Sequence, residues 1–332
     1  MRDGVAASLF VLSGISSTLL QQALLSAGAG DAWTSLLPFF NYLGMALLWR
    51  RSSPAEPRTE ASSPPSHLSA LIWACVALDI IGFLLATAAI SAAGSGLYQV
   101  LYSSVVIFAA LASWVVRRRA LGRIQIVGIA LVIFGTALTA RGGAGLHGLT
   151  TTPTPRALTG VALSLAAAAV YGTVYGLAEL ASTLPNYPGP HELASRIGRG
   201  VVAVLASYIA VAVLPRRAEV VARIAAANLL SPAAVMAAFA ALSASSAVHS
   251  LSYFFLVEAR GATATGVMAS LRAVGVYVLS ALLFCPQQPE QCWSAARAGA
   301  SAVVVVGVLV FCAGAEGKPA GGGRRGKGEE DV

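Results

Sequence analysis

Ten times along the chain an apolar run of about twenty residues is bounded by a short polar stretch, the length needed to cross a hydrocarbon layer about 30 Å thick. The runs fall near 4–26, 32–49, 68–90, 97–116, 122–140, 157–182, 195–214, 231–257, 263–284 and 295–315. In lipid every backbone N–H and C=O needs an internal partner, so runs of this length predict helices and not isolated strands. The expected fold class is an all-α polytopic membrane protein with ten transmembrane helices. One stretch departs from the pattern. PRRAEVVARIAAANLL, residues 215–230, places Val220, Val221 and Ile224 on one helical face beside three arginines, as in a helix lying along the membrane surface.

The connections sharpen this picture. SSPAEPRTEASSPPS at 52–66 and the Gly/Lys/Arg tail at 317–332 have the composition of flexible or disordered chain. LPNYPGP at 184–190 divides helices one to six (1–182) from helices seven to ten (183–316). Spans three and four meet at SAAGSG, and spans eight and nine at ARGATATG. Span five carries Gly128 and Gly135, and span ten carries Gly307 and Gly314, at the same seven-residue step. Five spans per half is an odd number, so the second half must enter the membrane from the opposite side. The expectation is a 5+5 inverted repeat, an arrangement that many carriers use to alternate access about a midplane site.

Composition agrees with a lipid environment. Of 332 residues, 57% are hydrophobic and 11% charged, against about 25% charged in a soluble domain. The formal charge of +8 does not imply nucleic acid, because the cations sit at the ends of apolar runs and in the tail. With both termini in the cytosol, thirteen Lys and Arg fall on that side and six on the other, among them Arg117, Arg118 and Arg119 at the end of span four. This bias orients the chain.

GLYQVLYSSVVIFAALASWVVRRRALGRIQIVGIALVIFGTALTA, across spans four and five, resembles the drug/metabolite transporter superfamily, as does HSLSYFFLVEARGATATGVMASLRAVGVYVLSALLF at 249–284 more weakly. Within it the chain is most similar to the branch containing solute carrier family 35 nucleotide-sugar transporters and chloroquine-resistance-type transporters. The resemblance implies a carrier whose cavity is lined by spans one to four and six to nine, with spans five and ten peripheral. It also implies residence in the Golgi or another endomembrane, the plasma membrane being the alternative.

An ionisable group deep in a span costs several kcal/mol unless it faces a cavity or a partner. Arg272 lies about ten residues into span nine, where it can grip a phosphate or carboxylate or else pair with a buried acid. Asp79, in the middle of span three, is the natural counter-ion. Tyr98, Gln99 and Tyr102 share a broad face of span four. They could stack on and read a flat ligand, although Tyr98 also has the character of an interfacial anchor. Secondary candidates are Gln21 and Gln22, Asn41, Tyr171 and Tyr175, His249 and Tyr253, while Glu179 and Glu258 stand near helix ends and are expected to be solvated. Cys285 and Cys292 flank CPQQPEQC and are expected to form a disulfide in an oxidising compartment. The glycine steps of spans five and ten suit close contact between helices, or between two copies in a homodimer.

No Walker lysine motif, HExxH or GxSxG is present, so neither ATP drive nor hydrolysis is indicated, and no catalytic residue, cofactor or metal site is expected. The readings left open are a secondary-active carrier of a polar organic solute such as a nucleotide sugar or related anion, an amino-acid, drug or metabolite carrier of the same superfamily, and a non-transporting receptor or scaffold. The expected partners are a small-molecule solute and the lipid bilayer.

Overall fold

A computed structural model describes residues 3–48, 66–117, 121–143, 155–184, 187–288, 291–293 and 295–316. The tail at 317–332, Arg118, Arg119 and all of the expected linker except Ser66 lie outside these residues. The described residues are helical with no strand: α1 (Asp3–Ser26), α2 (Leu36–Leu47), α3 (Ser66–Tyr102), α4 (Val105–Arg117), α5 (Arg123–Gly143), α6 (Pro155–Ala181), α7 (Pro190–Tyr208), α8 (Arg217–Ala227), α9 (Pro232–Arg260), α10 (Ala262–Phe284) and α11 (Ala295–Glu316). Six segments are long and apolar enough to cross a membrane: Asp3–Ser26, His67–Tyr102, Leu158–Ala181, Pro190–Ala227, Pro232–Arg260 and Ala262–Phe284. Four shorter apolar helices accompany them: Leu36–Leu47, Val105–Val115, Arg123–Leu138 and Ala298–Phe311. Large apolar side chains such as Trp73, Val115, Phe134, Val211 and Leu282 are exposed on the outside, as a lipid-facing surface requires.

The breaks in this pattern have local causes. Gly94 adopts φ 78° and ψ 158°, a conformation open to glycine and strained for other residues, and it interrupts α3 where the sequence suggested a loop. Gly261 does the same between α9 and α10, with φ 87° and ψ 167°. Beyond α7 the helix loosens into a π turn at Ile209–Val213 and a 3-10 turn at Leu214–Arg216, where Pro215 removes a backbone donor. The amphipathic helix expected at 215–230 is α8. Val220 is buried and Ile224 packs against the core, while Val221 is exposed.

Between lipid-embedded helices the hydrophobic effect offers little, and close backbone contact and interhelical hydrogen bonds do the joining. A methyl group at Gly128 would come within 2.7 Å of Gly307 O, one at Gly135 within 2.8 Å of Ala300 O, and one at Gly314 within 2.9 Å of Ile124 Cβ. These glycines face one another across α5 and α11 of a single chain. This is the close contact between helices, within one chain, that their spacing allowed. Around α9, Ser243 Oγ donates to Phe40 O (2.6 Å) and Ser245 Oγ to Ser13 O (2.8 Å), tying α2 and α1 to it. Ser270 Oγ of α10 donates to Ser103 O (3.2 Å). The main apolar core gathers α1, α2, α3, α4, α6, α7, α9 and α10, and a smaller one joins α4, α5, α10 and α11.

Candidate solute-binding cavity

The helices of the main core enclose a cavity of about 130 Å³. Eleven of the twelve candidates read from the sequence border it: Gln21 on α1, Asn41 on α2, Asp79, Tyr98, Gln99 and Tyr102 on α3, Tyr171 and Tyr175 on α6, His249 and Tyr253 on α9, and Arg272 on α10. Gln22 does not. Its neighbour Gln21 lines this cavity, while Gln22 turns to a second, polar space bordered by Asp31, Arg156, Arg223 and Gln288. One residue along a helix is a rotation of about 100°, enough to exchange one face for another.

Arg272 is 8% exposed and held by uncharged acceptors. The amide oxygen of Gln99 accepts from its Nε (3.1 Å) and Nη2 (3.0 Å), two bonds from one planar fork. The other end of that amide faces Thr18 Oγ1 at 3.5 Å. His249 Nε2 stands 3.4 Å from Arg272 Nη1, and His249 Nδ1 lies 3.1 Å from Phe10 O. A carbonyl can only accept, so Nδ1 carries the proton and the Nε2 lone pair faces the guanidinium. Phe10 stacks on the imidazole at 4.6 Å and fixes its plane. The guanidinium also lies over the Tyr102 ring, 5.5 Å from its centre. Gly14 makes this placement possible, because a side chain there would overlap Arg272 Cδ and come within 2.8 Å of Nη1.

Asp79 borders the same cavity without touching the guanidinium. Among the described residues no ion pair joins it to Arg272. Its carboxyl lies beside the Tyr42 hydroxyl, which also reaches the Asp79 backbone carbonyl at 3.5 Å. The cavity is thus polarised, with a cation at one wall and a carboxyl group at another. Tyrosines line much of the space between: Tyr98 and Tyr102 are 5.6 Å apart, Tyr102 and Tyr171 5.7 Å, and Tyr175 and Tyr253 4.7 Å. Tyr98, 5% exposed, faces the cavity and not an interface. The Tyr253 hydroxyl is buried with no hydrogen-bond partner among the described residues, and a buried unpaired hydroxyl is a costly arrangement that a polar ligand would relieve. Asn41 Oδ1 accepts from Ser246 Oγ.

Sequence reasoning missed Tyr42, Ser17 and Thr18. Tyr42 carried a usable signal, a hydroxyl in an apolar run next to Asn41. Glu179 is a correction: it is 1% exposed, not solvated, because the α9–α10 junction covers it, and its Oε2 accepts from Ala262 N at 3.3 Å. Glu258 is exposed. Cys285 and Cys292 form a disulfide with Cα atoms 4.5 Å apart. Cys75 is free and buried.

Residues 5–141 match a sequence profile of the EamA-like transporter family. A solved protein crystal structure, 16% identical, superposes with a TM-score of 0.60 over 93% of this chain and 98% of that one, which shows a shared fold and nothing further. No curated protein matches. The apolar helices and the family match together make this an integral, multi-pass membrane protein, similar over residues 5–141 to EamA-like transporters.

Proposed function

We propose that the chain is a secondary-active carrier that moves a small polar organic solute by alternating access about the cavity shared by Arg272 and Asp79. The observation that carries this reading is a buried guanidinium held by neutral acceptors and an aromatic face, its positive charge uncompensated by a direct ion pair among the described residues. A carboxylate or phosphate on the solute supplies that compensation. Asp79, bordering the same space with no cationic partner among the described residues, favours a solute that also presents a cationic or hydrogen-donating group. This weighs toward the amino-acid or metabolite reading over a nucleotide sugar, whose pyrophosphate would meet a single guanidinium. Tyr98 and Tyr102 supply stacking faces for a planar portion of the solute in either case.

The ten apolar helices, counting the four short ones and assigning the part of α3 beyond Gly94 to the same span as α4, are read as two inverted sets of five. The glycine breaks at corresponding junctions and the matched glycine steps of α5 and α11 support this. The arginine bias places both termini in the cytosol, and the resemblance to solute carrier family 35 favours an endomembrane such as the Golgi. The protein is read as neither an enzyme nor a scaffold. A thermal-shift panel of nucleotides, nucleotide sugars, amino acids and organic cations, followed by uptake of the stabilising compounds into proteoliposomes, tests the reading. Uptake above that of empty vesicles, lost in Arg272→Ala, supports it. Binding of every anion equally well by Arg272→Ala overturns the assigned role of the arginine, and absence of any uptake favours the scaffold.

A further inference from the structure

Two polar contacts far apart in the molecule share one construction. At Gly94 the helix breaks in a conformation other residues resist, and the buried amide of the next residue, Ser95 N, donates to Gln22 Oε1 at 2.8 Å. At Gly261 the chain breaks in nearly the same conformation, and the amide of the next residue, Ala262 N, donates to Glu179 Oε2 at 3.3 Å. Gln22 lies in the last turn of α1, and Glu179 in the last turn of α6. Both acceptors are almost fully buried. In a five-plus-five reading α1 and α6 are the first helices of their halves, and the two breaks fall between the third and fourth helices of each.

The contacts stand at opposite ends of the cavity. Asp3, at the start of α1, pairs with Arg260 next to Gly261 at 2.9 Å. Gln22 is nineteen residues further along α1, about 29 Å at 1.5 Å per residue, close to a bilayer's hydrocarbon thickness. Each held amide opens the helical segment that carries the key cavity groups: Ser95 precedes Tyr98, Gln99 and Tyr102, and Ala262 precedes Arg272. The Gln22 end is further packed by the disulfide-closed loop. Gln288 Nε2 donates to Ser26 Oγ (3.0 Å), and Ser95 Oγ donates to Gln291 Oε1 (3.1 Å), whose side chain fills the space that a Cβ at Gly94 would need.

We propose that Gln22 and Glu179 are paired positioning residues, one at each end of the cavity, each latching the helix break beside it, and that release of either latch opens the cavity toward its own face of the membrane. The proposal rests on the carrier reading for its purpose but not for its test. The two latches differ in chemistry: one acceptor is an amide and the other a carboxyl group, so the two ends need not open with equal ease.

The test places a reporter thiol in the cavity by Ser250→Cys, in a background with Cys75 and Cys312 replaced by serine, and measures labelling by a charged, membrane-impermeant thiol reagent added to either face of oriented vesicles. Gln22→Ala should speed labelling from the face that bears the disulfide, and Glu179→Ala from the opposite face, each by at least roughly tenfold, the population change expected from losing the buried hydrogen bond to the break amide. Glu179→Gln keeps an acceptor oxygen and should label like the parent. Ala262→Pro removes the donor itself at a first helical position where proline is tolerated, and it should reproduce Glu179→Ala even where that variant folds poorly. Unchanged labelling in Gln22→Ala and Ala262→Pro, or acceleration from the same face in both, overturns the proposal. Labelling needs no transported solute. Latch behaviour without uptake in the proteoliposome assay would therefore count against the carrier and not the latches, and uptake with unmoved labelling would do the reverse.

Discussion

Replacing Gln99 by leucine roughly keeps the volume of the side chain and removes the amide oxygen that accepts both bonds of the Arg272 fork. The bonds lost are those from Nε at 3.1 Å and Nη2 at 3.0 Å. Hydrogen bonds to charged groups contribute about 1.5–3 kcal/mol each. Water entering the cavity recovers part of this, which leaves a net loss of about 2–4 kcal/mol for Gln99→Leu. His249 and the Tyr102 ring remain but cannot replace a planar, two-point acceptor. In a chain of this length such a loss lowers the unfolding midpoint by several degrees, readable by thermal unfolding in detergent. The companion variant Gln99→Glu supplies a carboxylate at the same atoms. It should recover most or all of the lost stability while neutralising the cation, so that anions no longer stabilise the protein. A Gln99→Leu variant as stable as the parent, or a Gln99→Glu variant less stable than Gln99→Leu, would refute the reasoning that Arg272 is held by a neutral acceptor.

Other outcomes follow from the same geometry. Gly14→Ala puts a methyl group where Arg272 Cδ lies, so anion-dependent thermal stabilisation should fall by at least about tenfold in affinity while the protein still inserts and purifies as a single species. Gly307→Val drives a branched side chain into the α5 backbone at Gly128 and Val132. It should lower stability by about 1–3 kcal/mol, as overpacking does, without changing which solutes bind. Reducing Cys285–Cys292, which closes a short loop, should lower stability by about 2 kcal/mol on the loop-entropy scale, measured as an unfolding shift accompanied by a two-proton gain in mass. Asp79→Asn should leave anion binding intact and weaken cationic or zwitterionic solutes selectively in the same thermal-shift panel.

The residues most legible in the sequence were those whose chemistry conflicts with their surroundings. A charge in the middle of an apolar run needs a polar cavity or a partner whatever the detailed fold, and that argument alone brought Arg272 and Asp79 into view. Helical periodicity then placed Tyr98, Gln99 and Tyr102 together. What periodicity could not supply was rotation: Gln21 and Gln22 are chemically identical neighbours, and only packing decides that the first lines the cavity and the second bonds Ser95. Nor could it supply partnership. Opposite charges suggested an Arg272–Asp79 pair, whereas the structure gives the arginine to Gln99 and His249. Glu179 was misplaced because a residue near a helix end is usually wet, and its burial depends on how α9 and α10 meet at Gly261, a contact between segments 82 residues apart in the chain. The glycine steps of spans five and ten were readable as close-packing surfaces, but their mutual engagement within one chain was not.

The account as a whole stands on a single buried cation left available for an anionic solute. Uptake of the panel's best-stabilising solute into proteoliposomes, compared between the parent, Arg272→Lys and Arg272→Ala, tests that most directly. The account predicts accumulation by the parent, weakened uptake by Arg272→Lys, which keeps the charge and loses the planar fork, and a loss of about a hundredfold in Arg272→Ala, the consequence of removing one charge-assisted contact from a buried site. Equal uptake of the same anion by Arg272→Ala and the parent would contradict it.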